Sequence, residues 1–173
     1  MIINLDDNGR HLRFAPLTLT RPVGNLRMGI FTNDERWKMF LPEAEIGYLT
    51  EDYISKKFKS IENGIRVNAT LIPNEDVVAA IMHLEENTAL YLNETFLAAN
   101  GNPSQKIQFK GEVPLILENR WDLYQKNDTV LKADFELITS GRKSQKISKS
   151  NTVIGSSDLI FLEEGAKVEA SIL

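Results

Sequence analysis

The chain opens on Ile2 to Leu5, a short apolar run that does not alternate, and breaks at once into Asp6-Asp7-Asn8-Gly9. A strand of that pattern is covered on both faces, as strands of parallel sheets in α/β folds are. Asn-Gly is a turn dipeptide because both residues tolerate positive φ. In an open parallel sheet, ligands sit beyond the carboxyl ends of the strands. The turn at Asn8 and Gly9, and the loop after it, therefore occupy the place where a ligand would bind.

That loop, LRFAPLTLTRPVGNLRMGI from Leu12 to Ile30, carries Pro16 and Pro22, which oppose a long regular helix. Arg21 stands before Pro22, and Arg27 follows six residues later. Arginine grips phosphate through two parallel hydrogen bonds, so Arg21 and Arg27 make the loop a candidate anion site. The plainer alternative is that they form salt bridges or cover apolar surface with their stems. Asp6 and Asp7 are candidates for a metal ion or a ribose hydroxyl. Adjacent residues point to different sides, so one of them at most faces inward, and such pairs also cap turns. His11 is either a phosphate donor or a surface residue.

The rest of the chain alternates strands and helices. Thr32 to Glu35 fits a capping box opening a helix with Trp37, Phe40 and Leu41 on its apolar stripe. Ile46–Leu49 and Ile65–Ile72 read as strands, the latter passing into a loop at or soon after Asn68, which either hydrogen-bonds a ligand or turns the chain. Asn74 caps a helix with Val77, Val78, Ile81 and Leu84 on one face. Further strands are predicted over 89–92, 95–99 and 107–109, the last at a sheet edge. Trp121 to Lys132 predicts a helix that Asn127-Asp128 can split in two. Phe135 to Ile138 is apolar again.

The segment SGRKSQKISKS from Ser140 is polar, basic and aperiodic, which predicts a linker. Beyond it Ile154, Ile160, Ala166 and Ile172 recur every six residues, the period of a parallel β-helix. The expected organisation is a domain over 1–139, a linker over 140–150 and the start of a β-helix over 151–173, cut short at Leu173.

Composition narrows the function. The formal net charge is -4, so there is no broad basic surface and nucleic acid is not an expected partner. Cysteine is absent and only two histidines are present, which leaves no disulfide, thiol nucleophile or His/Cys metal cluster. No apolar run approaches the roughly 20 residues of a membrane span, and the N-terminus lacks signal-peptide features. A cytoplasmic protein is expected, without membrane association.

DDNGRHLRFAPLTLTRPVGNLRMGI resembles the opening of the sugar-1-phosphate nucleotidyltransferases. The run TRPV-x-x-x-R-x-G-I, with WDLYQKND, ADFELIT-x-GRKSQ and the VIG…IFLEEGAKVEASIL ending, is similar to one divergent bacterial branch. Its members are bifunctional N-acetylglucosamine-1-phosphate uridylyltransferases and glucosamine-1-phosphate acetyltransferases. The resemblance implies an α/β, Rossmann-like nucleotidyltransferase domain followed by the first coils of a left-handed parallel β-helix. It implies that a nucleoside triphosphate, UTP, is joined to a sugar-1-phosphate, N-acetylglucosamine-1-phosphate, by in-line attack on the α-phosphate with release of pyrophosphate and with Mg2+ as cofactor.

By position, Asn8, Gly9 and Arg10 fall on the family's phosphate loop and Arg21 on a second arginine. Arg10 and Arg21 would stabilise the phosphates as the catalytic pair, with Asn8, Gly9, Arg27 and Asn68 on the substrate and Asp6 or Asp7 as metal candidates. A homo-oligomer is implied, a trimer where the full β-helix is present. The sequence departs from the family pattern at three places: Gly9 is almost the lone glycine of its loop, Val23 replaces a basic residue, and Asn68-Ala69 replaces the segment carrying the magnesium aspartate. Either another acid, Asp6, Asp7 or Asp76, takes that role, or the domain binds nucleotide sugar without catalysis and serves regulation. A structural or assembly module is the third alternative.

Overall fold

A computed structural model of the chain describes residues 1–169. Among the described residues eight strands are formed: β1 (Ile2–Asp6), β2 (Arg27–Met28), β3 (Phe31–Thr32), β4 (Glu45–Leu49), β5 (Ile65–Asn68), β6 (Thr88–Leu92), β7 (Thr95–Asn100) and β8 (Gln105–Gln108). The helices are α1 (Asn33–Phe40), α2 (Asp52–Ser55), α3 (Glu75–Met82), α4 (Asp122–Gln125) and α5 (Asn127–Thr139). Six strands make one sheet in the order β4-β1-β5-β7-β6-β8. β1 pairs parallel with both β4 and β5, β6 pairs parallel with β8, and β7 alone runs the other way. This mostly parallel sheet with helices is a Rossmann-like α/β arrangement.

The apolar residues of β1 go where its pattern requires. Ile3 and Leu5 are fully buried, and they share one core with Val67, Trp37, Phe14, Val77 and Ile81. The Asn74 side chain caps α3 by accepting the Val77 amide at 2.9 Å. At α1 the Glu35 carboxylate reaches back to the Thr32 amide at 2.7 Å, as the capping box requires. β5 ends at Asn68, and β8 is an exposed edge strand.

Two local elements differ from the sequence expectation. The RMGI segment is not open loop: β2 and β3 form a small antiparallel hairpin. The 121–132 helix is split at Lys126, beside the Asn127-Asp128 break that the sequence allowed, but its second piece runs on through Phe135 to Thr139, so that apolar stretch is helix rather than a separate element.

The chain divides into two compact units, Met1–Asp134 and a second beginning at Phe135. Within the second, the basic segment folds onto residues near Phe161. The Arg142 guanidinium lies over the Phe161 ring at 4.9 Å and pairs with Glu163, and the Leu162 amide donates to Ser144 Oγ at 2.9 Å. Among described residues 151–169 no strand is formed, so the β-helix coils expected there are not shown. Of the six-residue series, Ile154 is 75% exposed, Ile160 is half-buried and Ala166 is exposed. Ile172 lies outside the described residues. Such a series buries its face only when further coils stack on it.

Candidate functional site

The chain leaves β1 for β4 on one side and returns to β5 on the other, so β1 lies at a topological switch point. Asp6, the last residue of β1, stands level with Leu49 and with Asn68. The edge beyond these three strand ends is where an open, mostly parallel sheet offers a ligand a site.

Asn8 and Gly9 turn the chain there with φ of 48° and 68°, and both are exposed. Arg10 follows half-buried, its amide tied to the Asp7 carbonyl at 2.8 Å. Its Nη1 is buried and has no hydrogen-bond partner. A buried guanidinium nitrogen without an acceptor is costly, and an anion would supply what is missing.

The other arginines are placed differently. Arg21 is exposed, with its amide on the Thr18 carbonyl. Arg27 is exposed and engaged, donating to the Ile30 carbonyl and, at 3.1 Å, to Glu35. The amide of Thr32 holds Glu35 below the usual carboxylate range, against a smaller effect of burial, and Arg27 adds to the lowering. Arg27 thus closes the β2–β3 hairpin onto the start of α1.

Asn68 is fully buried and serves the fold. Its Nδ2 donates to the Phe96 carbonyl at 2.9 Å, while its Oδ1 accepts both the Thr70 amide, at 3.0 Å, and the Thr70 hydroxyl, at 2.9 Å. Both lone pairs of that oxygen are engaged, which leaves it none for a ligand.

The two aspartates have opposite surroundings. Asp7 is 3% exposed, and its carboxylate accepts the Val23 amide at 2.9 Å, the Thr50 hydroxyl at 2.6 Å and His11 Nδ1 at 2.7 Å. One side chain thereby joins both ends of the 11–23 loop to the strand end after β4. His11, read from sequence as a phosphate donor or surface residue, is 1% exposed and forms part of this buried network. Asp6 is only partly buried; burial pushes its carboxyl above the usual range, against the opposing effects of the Asn8 amide and Arg66.

These donors do not fit a resident magnesium ion. Mg2+ takes hard oxygen ligands in octahedral geometry, usually including one or two carboxylates. Asp7 already accepts from three donors, the Asn68 side chain offers no free oxygen, and Asp6 has an amide at 2.8 Å and the Arg66 guanidinium at 3.5 Å. Asp76 accepts the Glu112 amide at 2.7 Å. Among the described residues no three acidic or histidine side chains gather as a metal site.

What sequence reasoning missed is the anchor of the RMGI hairpin. Arg36, on α1, and Asp134, on α5, are both 2% exposed and meet through two hydrogen bonds of 2.8 Å. Arg36 also donates to the Met28 carbonyl, and Asp134 accepts the Ile30 amide at 2.8 Å. Gly29 has φ of 68°, and a Cβ there would lie 2.4 Å from Asp134 Oδ2. The available signal was a charged residue inside each helical pattern, without a marker pairing them.

Fold and site define a Rossmann-like α/β domain with a ligand edge at the carboxyl ends of β1 and β5. The family model described as sugar nucleotidyl transferase matches residues 2–143, and the chain belongs to that family. No curated protein matches the chain closely enough to compare. No helix among the described residues is long and apolar enough to cross a membrane.

Proposed function

We propose that the chain joins a nucleoside triphosphate, UTP, to a sugar-1-phosphate, N-acetylglucosamine-1-phosphate, and releases pyrophosphate. The observation that carries this is Arg10. Its buried, unpartnered Nη1 stands beside a positive-φ turn at the switch point, within a domain of the sugar nucleotidyl transferase family. Arg10 grips the triphosphate in this function, and Arg21, exposed on the following loop, closes on it from solvent. The Asn8-Gly9 turn lets phosphate approach the backbone. The sugar phosphate is already an anion at neutral pH and needs no side-chain base to attack the α-phosphorus. Magnesium is the cofactor proposed with this function, and it would supply charge neutralisation on the phosphates without a cage of these carboxylates. The bifunctional uridylyltransferase/acetyltransferase branch is the proposed setting, with residues 151–173 beginning its β-helix, a trimer built by that β-helix and a cytoplasmic location.

A second function is favoured by one observation: the carboxylates that would hold a divalent ion are engaged or paired. It is a domain that binds nucleotide sugar without turnover. Calorimetric titration with UTP and with UDP-N-acetylglucosamine, with and without Mg2+, is run beside a pyrophosphate-release assay. Pyrophosphate release that needs both substrates supports the enzyme. Binding without release supports the second function, and absence of binding overturns both.

A further inference from the structure

The two aspartates that end β1 are engaged in different ways. Asp7 spends its carboxylate on Val23, Thr50 and His11, and His11 Nε2 in turn lies 2.8 Å from the Tyr53 hydroxyl. Asp6 makes another connection. Its Oδ1 accepts the Asn8 amide at 2.8 Å, and its Oδ2 lies 3.5 Å from Arg66 Nε. One carboxylate therefore joins the Asn8-Gly9 turn to an arginine on the neighbouring strand β5.

Arg66 is held in place without being sealed in. Its guanidinium lies over the Phe96 ring at 5.2 Å, a cation–π contact, while Asp6 fixes it at Nε. The Arg66 side chain is 47% exposed and that of Asp6 17%, so an anion arriving from solvent meets the guanidinium before the carboxylate behind it. Arg36 shows the contrast: it is sealed from water, and its guanidinium is taken by Asp134, Asn33 and the Met28 carbonyl. The same edge of the sheet continues past Arg66. β7 runs antiparallel to β5, and β6 antiparallel to β7. Phe96, near the start of β7, and Tyr91, near the end of β6, are paired with each other and so lie toward the carboxyl end of β5. Their half-buried rings, 5.8 Å apart between centroids, offer apolar surface beside the cation.

We infer that Arg66 binds the phosphate of the sugar-1-phosphate and that the sugar rests its C–H face against Phe96 and Tyr91. This rests on the function proposed above, in which Arg10 takes the triphosphate at the end of β1. In-line attack brings two anionic substrates together, and a cation placed for each lowers their repulsion. Asp6 connects the two cations, since it holds the turn that leads to Arg10 through the Asn8 amide and holds Arg66 through Nε. With Nε turned to Asp6, the Nη groups are the donors presented to a phosphate, which a guanidinium grips through paired hydrogen bonds. No covalent step is added. The sugar phosphate oxygen still attacks the α-phosphorus, and pyrophosphate still leaves.

The test is calorimetric titration of the full chain with N-acetylglucosamine-1-phosphate, alone and with the α,β-methylene analogue of UTP, which cannot release pyrophosphate. Arg66→Ala is expected to weaken sugar-phosphate binding by about tenfold to a hundredfold and to leave binding of the UTP analogue within about twofold of the wild type. Arg66→Lys, which keeps the charge and loses the paired donors, is expected to fall between them. Unphosphorylated N-acetylglucosamine should not distinguish Arg66→Ala from the wild type, which assigns the loss to the phosphate. In the wild type, NMR signals of the Phe96 and Tyr91 rings are expected to shift as sugar phosphate saturates the chain, and unmoved signals overturn the placement of the sugar. Unchanged sugar-phosphate affinity in Arg66→Ala, or an equal loss for both ligands, overturns the role of Arg66, while pyrophosphate release that needs both substrates keeps the proposed function standing. Sugar-phosphate binding that depends on Arg66 without pyrophosphate release supports the inference and overturns turnover. A wild type that binds the UTP analogue but no sugar phosphate overturns both.

Discussion

Arg36 and Asp134 face each other across 98 residues of sequence, both nearly sealed from water, through two hydrogen bonds of 2.8 Å. A planar guanidinium meets a carboxylate edge to edge, and the remaining lone pairs of Asp134 take the Ile30 amide. Removing one partner leaves a buried charge with no counterpart, which costs about 3–5 kcal/mol. Asp134→Ala is therefore expected to lower unfolding free energy by that amount in urea denaturation. An Asp134→Ala chain as stable as the wild type would show that the pair does not hold the hairpin to α5.

Asp7 gives a second expectation of the same kind. Its carboxylate is the acceptor for a buried amide at Val23, a hydroxyl at Thr50 and an imidazole at His11. Each orphaned donor costs about 1–3 kcal/mol, so Asp7→Ala is expected to destabilise by about 3 kcal/mol or more. The loss should be local first. Hydrogen exchange at the Val23 amide is expected to accelerate before global unfolding does, because the Asp7 carboxylate is the acceptor of that amide.

The parallel strands were legible from apolar residues such as Ile3, Leu5 and Val67, which are buried, although Asn4 and Arg66 interrupt the two runs. Asn74 and the Thr32 box were legible because capping acts over three residues. The Asp7 network was not, since its members at 7, 11, 23, 50 and 53 meet only after β4 returns beside β1. Asn68 illustrates the same limit: an amide at a strand end looks available until β7 brings the Phe96 carbonyl to its nitrogen. Arg27 looked like an anion grip because its local partner, Glu35, was assigned to a helix cap and not to the hairpin. The segments that carried the resemblance also meet in the fold, since Gly29 of the first lies against Asp134 of the third.

Asp6 carries the pH dependence of the strand end. Burial raises its carboxyl above the ordinary value of 3.8, so the folded state holds that proton more tightly than the unfolded chain. Stability from this group is present at acid pH and is lost as pH rises through 3.8 to the higher folded value. Asp6→Asn removes the titration. It is expected to be at least as stable as the wild type at neutral pH, with that advantage vanishing in acid. Glu35 works in the opposite sense: its lowered carboxyl contributes stability above 4.5 that is lost as pH falls through its folded value. Parallel melting curves of the wild type, Asp6→Asn and Glu35→Gln across acid to neutral pH separate the two slopes. Glu35→Gln should be the weaker variant at neutral pH and should converge on the wild type at low pH.

The three early arginines are expected to rank by what already holds them. Arg10 has a buried nitrogen with no partner, Arg21 is exposed, and Arg27 is paired with Glu35 and the Ile30 carbonyl. A hydrogen bond to a charged phosphate contributes about 1.5–3 kcal/mol, so Arg10→Ala is expected to weaken UTP binding by about tenfold to a hundredfold. Arg21→Ala should cost less and lose its effect in high salt, because an exposed charge is screened within about 10 Å at 0.1 M. Arg27→Ala should leave affinity nearly unchanged and lower thermal stability instead, since it anchors the hairpin to α1. Calorimetric titration of the three variants at low and high salt gives the order directly. If Arg27→Ala proved the most damaging to affinity, the phosphate would lie at the hairpin and not at the carboxyl end of β1.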